Sequence, residues 1–268
     1  MTDRADQPIK TLRAGADDLA SFVRSRTPDD LARGSGASEW DVSQVLSHLG
    51  SGAEISLATL EGALAGGGAP EREWITGVWA RWDGRSRTER AEAFLDANEA
   101  LVSRLEGLDE ETRERLRVPL WFPGDPLDLA GFVGMRLTEF TYHVWDVKVA
   151  FDPEAALDPA AVDLLVDNAG TLLRWAGKAE GLGGRRATIE VRLGSPERVF
   201  GLEIGEAVAV ADVPAEPDAV LTAPAEWWLR LVSGRHAPEH TPANVELIGK
   251  SGGDALTIDD LRRVFPGF

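Results

Sequence analysis

The chain has 268 residues, 43% of them apolar, with a formal net charge of −17. That is enough apolar material for one large core or two ordinary ones, and too negative a surface to attract phosphate backbones or an anionic bilayer; nucleic acid and membranes are therefore not expected partners. There is no cysteine, which excludes disulfides, thiolate metal sites and a protein-borne thiol nucleophile. No apolar run approaches the roughly 20 residues of a membrane helix, and the opening MTDRADQPIKTLRAG lacks the apolar core of a signal peptide, so the expected location is the cytoplasm.

Residues 8–25 carry Ile9, Leu12, Leu19, Phe22 and Val23, most of them at helical spacing, and predict a first helix. Pro28 and residues 34–38 form a break. A second helix follows, with Ser38 or Asp41 as its cap and a long apolar face that includes Val42, Val45, Leu46, Leu49, Ile55 and Leu60. His48 lies on it between Val45 and Leu49. The glycine run 66–68 with Pro70 ends it. Residues 71–85 are rich in tryptophan and show no clear period. Residues 86–105 predict a third helix, 118–128 a proline-rich loop with Trp121 and Phe122, which are expected to line a pocket mouth, and about 127–151 a fourth helix.

The composition changes after Asp152-Pro153. A helix over about 158–178 precedes alternating segments at 187–193, 199–204 and 207–213 that read as a β-meander. A short strand and helix over 218–233, a strand at 245–250 and a closing helix at 256–266 complete the chain. The expected fold class is α+β: an N-terminal four-helix bundle over residues 1–153, then a smaller α/β domain over 154–268.

With four histidines and no cysteine, any metal must be held by His, Asp or Glu. Glu139 and His143 stand four apart in the fourth helix, one above the other on one face. Together with His48 they offer three N/O ligands and an open position, the pattern of a catalytic divalent ion. The alternative is a surface Glu–His pair and a satisfied core histidine. Asp146 is placed to take the second N–H of a ligand imidazole, of His48 or His143, or to pair with an arginine. Arg136 is placed to hold Glu139 or a substrate carboxylate. His236 and His240 are also four apart, but Pro238 between them speaks against a second site. No Gly-x-Ser-x-Gly element or nicotinamide fingerprint is present.

Trp40-Asp-Val-Ser-Gln-Val-Leu-Ser-His48-Leu, followed some ninety residues on by Arg136-Leu-Thr-Glu139-Phe-Thr-Tyr-His143-Val-Trp-Asp146, resembles the mycothiol-dependent maleylpyruvate isomerase family of the DinB-like superfamily. The resemblance implies a four-helix bundle whose metal ligands are His48, Glu139 and His143. It extends to residues 218–235, where it implies a catalytic arginine that Arg235 matches best, to bind a substrate carboxylate or a developing enolate; a turn-capping surface arginine is the other reading. It further implies mycothiol as the cofactor beside a divalent metal, zinc first, though two histidines and a glutamate also suit iron, nickel or manganese. A metal-activated thiol would add to an electrophilic small molecule, with cis–trans isomerisation if the thiol then leaves and S-transfer if the adduct is released. Two other readings stand beside this one: a metal-dependent hydrolase using metal-bound water, and a non-enzymatic binding or regulatory protein.

Overall fold

The computed structural model of the chain describes residues 4–250 and 255–267. The chain divides into two compact units, the first ending at Asp152 and the second beginning at Pro153. The class is α+β, with a helical first unit and a smaller second unit built on a mixed sheet.

The first unit contains α1 (Asp6–Arg24), α2 (Pro28–Leu31), α3 (Val42–Leu64), α4 (Arg72–Asp83), α5 (Arg87–Glu106), α6 (Glu110–Arg115), the short strands β1 (Arg117–Val118) and β2 (Leu127–Asp128), and α7 (Leu129–Lys148). The starts of α3, α5 and α7 are fixed by side chains that satisfy otherwise orphaned backbone N–H groups. Asp41 accepts from Gln44 N at 2.9 Å while the Gln44 side chain accepts from Asp41 N at 2.9 Å, a capping box. Ser86 and Glu89 do the same for α5, and Asp128 caps α7 by accepting from Gly131 N at 2.8 Å.

The four long helices form a ring in which α1 packs on α5 and α7, and α3 also packs on α5 and α7. Thus α3 and α7, which carry the residues of interest, are direct neighbours. The middle of the bundle is apolar: Leu12, Leu19, Val45, Leu46, Leu49, Phe94, Leu101 and Val133 are all fully buried, each contributing about 1.5–3 kcal/mol by leaving water.

Three segments depart from the expectation. Residues 71–85 form α4, whose buried set is Ile75, Val78 and Trp82 at helical spacing; the exposed Trp74 and Trp79 on its other face hide the period. The break at Pro28 holds a one-turn helix closed by a Thr27–Asp30 capping box. The 118–128 loop is tied at its base by the antiparallel pairing of Arg117 with Asp128 and Val118 with Leu127. Within it Trp121 and Phe122 are exposed, their rings 5.3 Å apart, and Trp121 meets Trp79 edge-on at 6.0 Å.

The second unit contains α8 (Pro159–Leu165), α9 (Ala169–Ala176), β3 (Ala187–Gly194), β4 (Arg198–Ile204), β5 (Val208–Ala211), β6 (Ala219–Pro224), α10 (Ala225–Val232), β7 (Glu246–Gly249) and α11 (Ile258–Val264). The helix expected over 158–178 is interrupted by a 3-10 turn at Val166–Asn168. The three strands of the meander pair antiparallel, and β6 joins β3 in parallel with Val191 opposite Leu221, giving the order β5-β4-β3-β6-β7. Ile189, Val191 and Leu221 are fully buried, and α10 brings the buried Trp227 and Trp228 against the same unit's core.

Candidate metal centre

The site is assembled by α3 and α7. Both helices face each other along apolar stripes, so a polar side chain on the shared face needs partners there. On α3 that side chain is His48, one turn ahead of Gly52. On α7 Glu139 and His143 occupy successive turns of one face.

The structure brings the three together. His48 Nε2 and Glu139 Oε1 lie 2.7 Å apart, and the two imidazole rings meet edge-on at 4.7 Å. One ligand atom from each of His48, Glu139 and His143 falls within 4.8 Å of the others. The side chains of His48 and Glu139 keep 34% and 41% of their surface exposed, so a small molecule can reach them. The indole of Trp40 covers the pair from one side, 5.1 Å from the His48 ring and 6.1 Å from the His143 ring.

Around this triad the helices place a supporting set. His143 Nδ1 donates to Asp146 Oδ2 at 2.8 Å, which fixes the tautomer and would present Nε2 to a metal. Asp146 is fully buried. Of the two imidazoles considered for it, the structure gives it His143. Arg136 is buried too; its Nη1 lies 3.7 Å from Glu139 Oε2, and its Nη2 donates to the Leu49 carbonyl at 2.9 Å and towards Asn98 Oδ1 at 3.4 Å. At 2% exposure Arg136 is out of reach of a substrate carboxylate. Crowding by protein pushes the Glu139 carboxyl up, but the His48 hydrogen bond and the charges of Arg136 and the histidines outweigh it and bring the group down to about 2. Glu139 is therefore a carboxylate across the whole neutral range.

The donor set fits a divalent ion. Two imidazoles and one carboxylate are hard-to-borderline donors at the right mutual reach. A divalent ion would be held here by His48, Glu139 and His143, and binding it would require His48 to give up the proton it shares with Glu139. Three protein ligands would leave one position for an exogenous group.

Two contributors escaped the sequence reading. Asn98 stands on the apolar stripe Phe94, Leu101, Leu105 of α5 and is buried; an amide on that stripe is the signal that could have found it. Gly52 lets Arg136 come close, since a Cβ there would lie 3.0 Å from Arg136 Nη1, and no pattern in the sequence announces it.

Arg235 belongs to the second unit. Gly234 has a left-handed φ of +81°, and a Cβ on it would come within 2.4 Å of the Gly267 Cα, so the turn requires glycine. Arg235 N donates to the Arg230 carbonyl at 2.7 Å, and its guanidinium donates to the Ser233 carbonyl at 3.2 Å. Arg230, buried and in a bidentate pair with Glu226 (2.8 and 2.9 Å), donates to the carbonyls of Arg235 and His240 and so fixes the turn. His236 Nε2 donates to the Phe265 carbonyl at 2.6 Å and His240 Nδ1 to the Pro153 carbonyl at 3.1 Å; each is committed to a separate backbone partner.

No helix among the described residues is long and apolar enough to cross a membrane. The family profile described as the mycothiol maleylpyruvate isomerase N-terminal domain matches residues 12–148. Among solved structures the chain is similar to the crystal structure of the mycothiol-dependent maleylpyruvate isomerase and to that of a histidine-to-alanine mutant of it. Each superposes with a TM-score of 0.66 at 13% identity, over 94% of this chain and 98% of the other; this likeness shows a common fold. Comparison with curated proteins gave no match. By its profile match over α1 to α7, with the His48, Glu139 and His143 cluster inside the matched span, the chain belongs to the mycothiol maleylpyruvate isomerase N-terminal domain family.

Proposed function

We propose that the protein is a divalent-metal-dependent enzyme that uses a low-molecular-weight thiol, mycothiol, as the activated nucleophile on an electrophilic small molecule. The reaction is a cis–trans isomerisation of the maleylpyruvate kind or an S-transfer. The observation that carries this reading is the convergence of His48, Glu139 and His143 on one partly exposed point in a chain that has no thiol of its own. A divalent ion held there, zinc first and iron, nickel or manganese by the same donors, lowers the pKa of a thiol and keeps it as thiolate. The chain's own residues supply the rest. Asp146 holds His143 in the tautomer that presents Nε2, Glu139 stays ionised, and Trp40 shields one side of the imidazoles from water. Arg235, on its glycine-dependent turn, is assigned to a substrate carboxylate or to negative charge developing next to it. We read the two units as two domains, 1–153 and 154–268, and place the reaction in the cytoplasm, where small thiols are kept reduced.

The test is elemental analysis of the purified protein together with a thiol-dependence assay on an enoyl acid. Wild-type protein is expected to carry one equivalent of divalent metal and to need the thiol. His48→Ala and His143→Ala are each expected to lose metal and activity together. Stoichiometric metal in both variants sinks the site; activity that survives complete removal of small thiols favours a hydrolase using metal-bound water.

A further inference from the structure

Arg136 is a cation buried in the first unit. It is 2% exposed, and its Nε and Nη1 have no hydrogen-bond partner among the described residues. A buried cation normally faces a carboxylate of its own. Here the carboxylate that faces it is Glu139, whose Oε2 lies 3.7 Å from Nη1 while its Oε1 lies 2.7 Å from His48 Nε2. The arrangement is built: Gly52 opens the space for Nη1, and Leu49 O and Asn98 Oδ1 hold Nη2. Its Cζ also sits 5.7 Å from the Phe140 ring centre.

We propose that Arg136 is a positioning residue that acts through Glu139, and that its charge makes the metal centre select an anionic exogenous ligand over a neutral one. This rests on the metal reading given above. A ligand carboxylate whose charge is already shared with a fixed guanidinium compensates less of the charge of a divalent ion. The ion then keeps a stronger pull on an anion at its open position. Asp146 works in the opposite sense through His143, so the two supports set the balance from opposite ends of the same helical face. Because the guanidinium is rigidly held and shielded from water, its field at the site is little screened. For an enzyme that must take a thiol as thiolate, this is a useful bias.

The experiment loads the full-length protein with Co2+ and follows azide and imidazole binding by visible absorption; azide probes an anionic ligand and imidazole a neutral one. Arg136→Met removes the charge at similar volume, Arg136→Gln removes it but keeps a donor for the Leu49 carbonyl, and Arg136→Lys keeps the charge. The expected result is that azide affinity relative to imidazole falls about tenfold or more in the Met and Gln variants and returns towards wild type in Lys. A merely structural arginine would weaken both ligands together, so an unchanged azide-to-imidazole ratio in Met or Gln overturns the proposal. If neither neutral variant folds, the wild-type ratio decides: azide bound no more tightly than imidazole overturns it, and a clear azide preference supports it. Wild-type protein that takes up no Co2+ overturns the metal reading and this one with it, whereas an unchanged ratio overturns this one alone.

Discussion

His143 gives its Nδ1 proton to Asp146, a carboxylate one turn along α7 with no exposed surface at all. The neighbourhood is tight. Gly36 N donates to the Asp146 carbonyl at 2.8 Å, and a Cβ on Gly36 would lie 2.9 Å from Asp146 Oδ1 and 2.8 Å from Trp145. The loop before α3 is therefore docked onto the C-terminal part of α7, where Asp146 holds the His143 imidazole. Carboxylate partners of this kind typically raise the basicity of the ligand they orient. Asp146→Asn keeps the shape and an acceptor but loses the charge. It is expected to lower zinc affinity about 10–100-fold, read by competition with a chromophoric chelator, with the far-UV dichroism unchanged. Wild-type affinity in Asp146→Asn would mean that the carboxylate serves only to pack the helix.

The two-turn polar face of α7 was legible because helical geometry is local: Glu139 and His143 stack wherever the helix runs, and Asp146 follows His143 by one more turn. The pairing of that face with His48 was not a local matter, and it was the motif around Trp40 and His48 that joined the two. Arg136 shows where local reading stops. Its position three residues before Glu139 suggested an ion pair, and the pair is there at 3.7 Å. What decides its chemistry, the Leu49 carbonyl, Asn98 and the space over Gly52, comes from α3 and α5 across the bundle. The same holds for the fold. The helix cap at Asp41 was readable from its own residues, with Ser38 as the alternative, whereas α4 was masked by tryptophans on both faces. The parallel pairing of β3 with β6, some thirty residues apart, follows from tertiary packing that no alternation pattern records.

The packing of α4 on α3 turns on a single glycine. A Cβ on Gly50 would lie 2.2 Å from the Trp82 ring, and that ring is buried and pinned by its N–H to Glu54 Oε2 at 2.8 Å. Gly77, exposed on α4, has nothing within 4 Å of a would-be Cβ. The same substitution should therefore act with opposite sign at the two positions. Gly50→Ala is expected to destabilise by about 1–3 kcal/mol, because an overpacked helix contact must open. Gly77→Ala is expected to stabilise by about 0.5–1 kcal/mol through helix propensity alone. Differential scanning calorimetry of the two variants checks this; a gain in melting temperature for Gly50→Ala would show that α4 can shift freely on α3.

In the second unit, Asp260 gathers charge at the start of α11. Its carboxylate accepts from Thr257 N at 2.8 Å and from the Thr257 hydroxyl at 2.9 Å, and it pairs with both Arg185 and Arg263. Burial pushes its pKa up, but the two Thr257 bonds and the two arginines overcome that and hold it below the ordinary 3.8. A carboxyl depressed in the folded state contributes stability that is complete above its unfolded pKa of about 3.9 and is lost as pH falls through the lower folded value. Asp260→Asn removes the charge while keeping an oxygen for the cap. At pH 7 it is expected to cost about 1.5–3 kcal/mol, the range for hydrogen bonds to a charged group, seen as a lower urea midpoint than wild type. The gap between the two midpoints should stay constant down to about pH 5 and then narrow as acid protonates the wild-type carboxyl. A gap of the same size at pH 3 would place the loss in the shape of the cap and not in the charge that Arg185 and Arg263 neutralise.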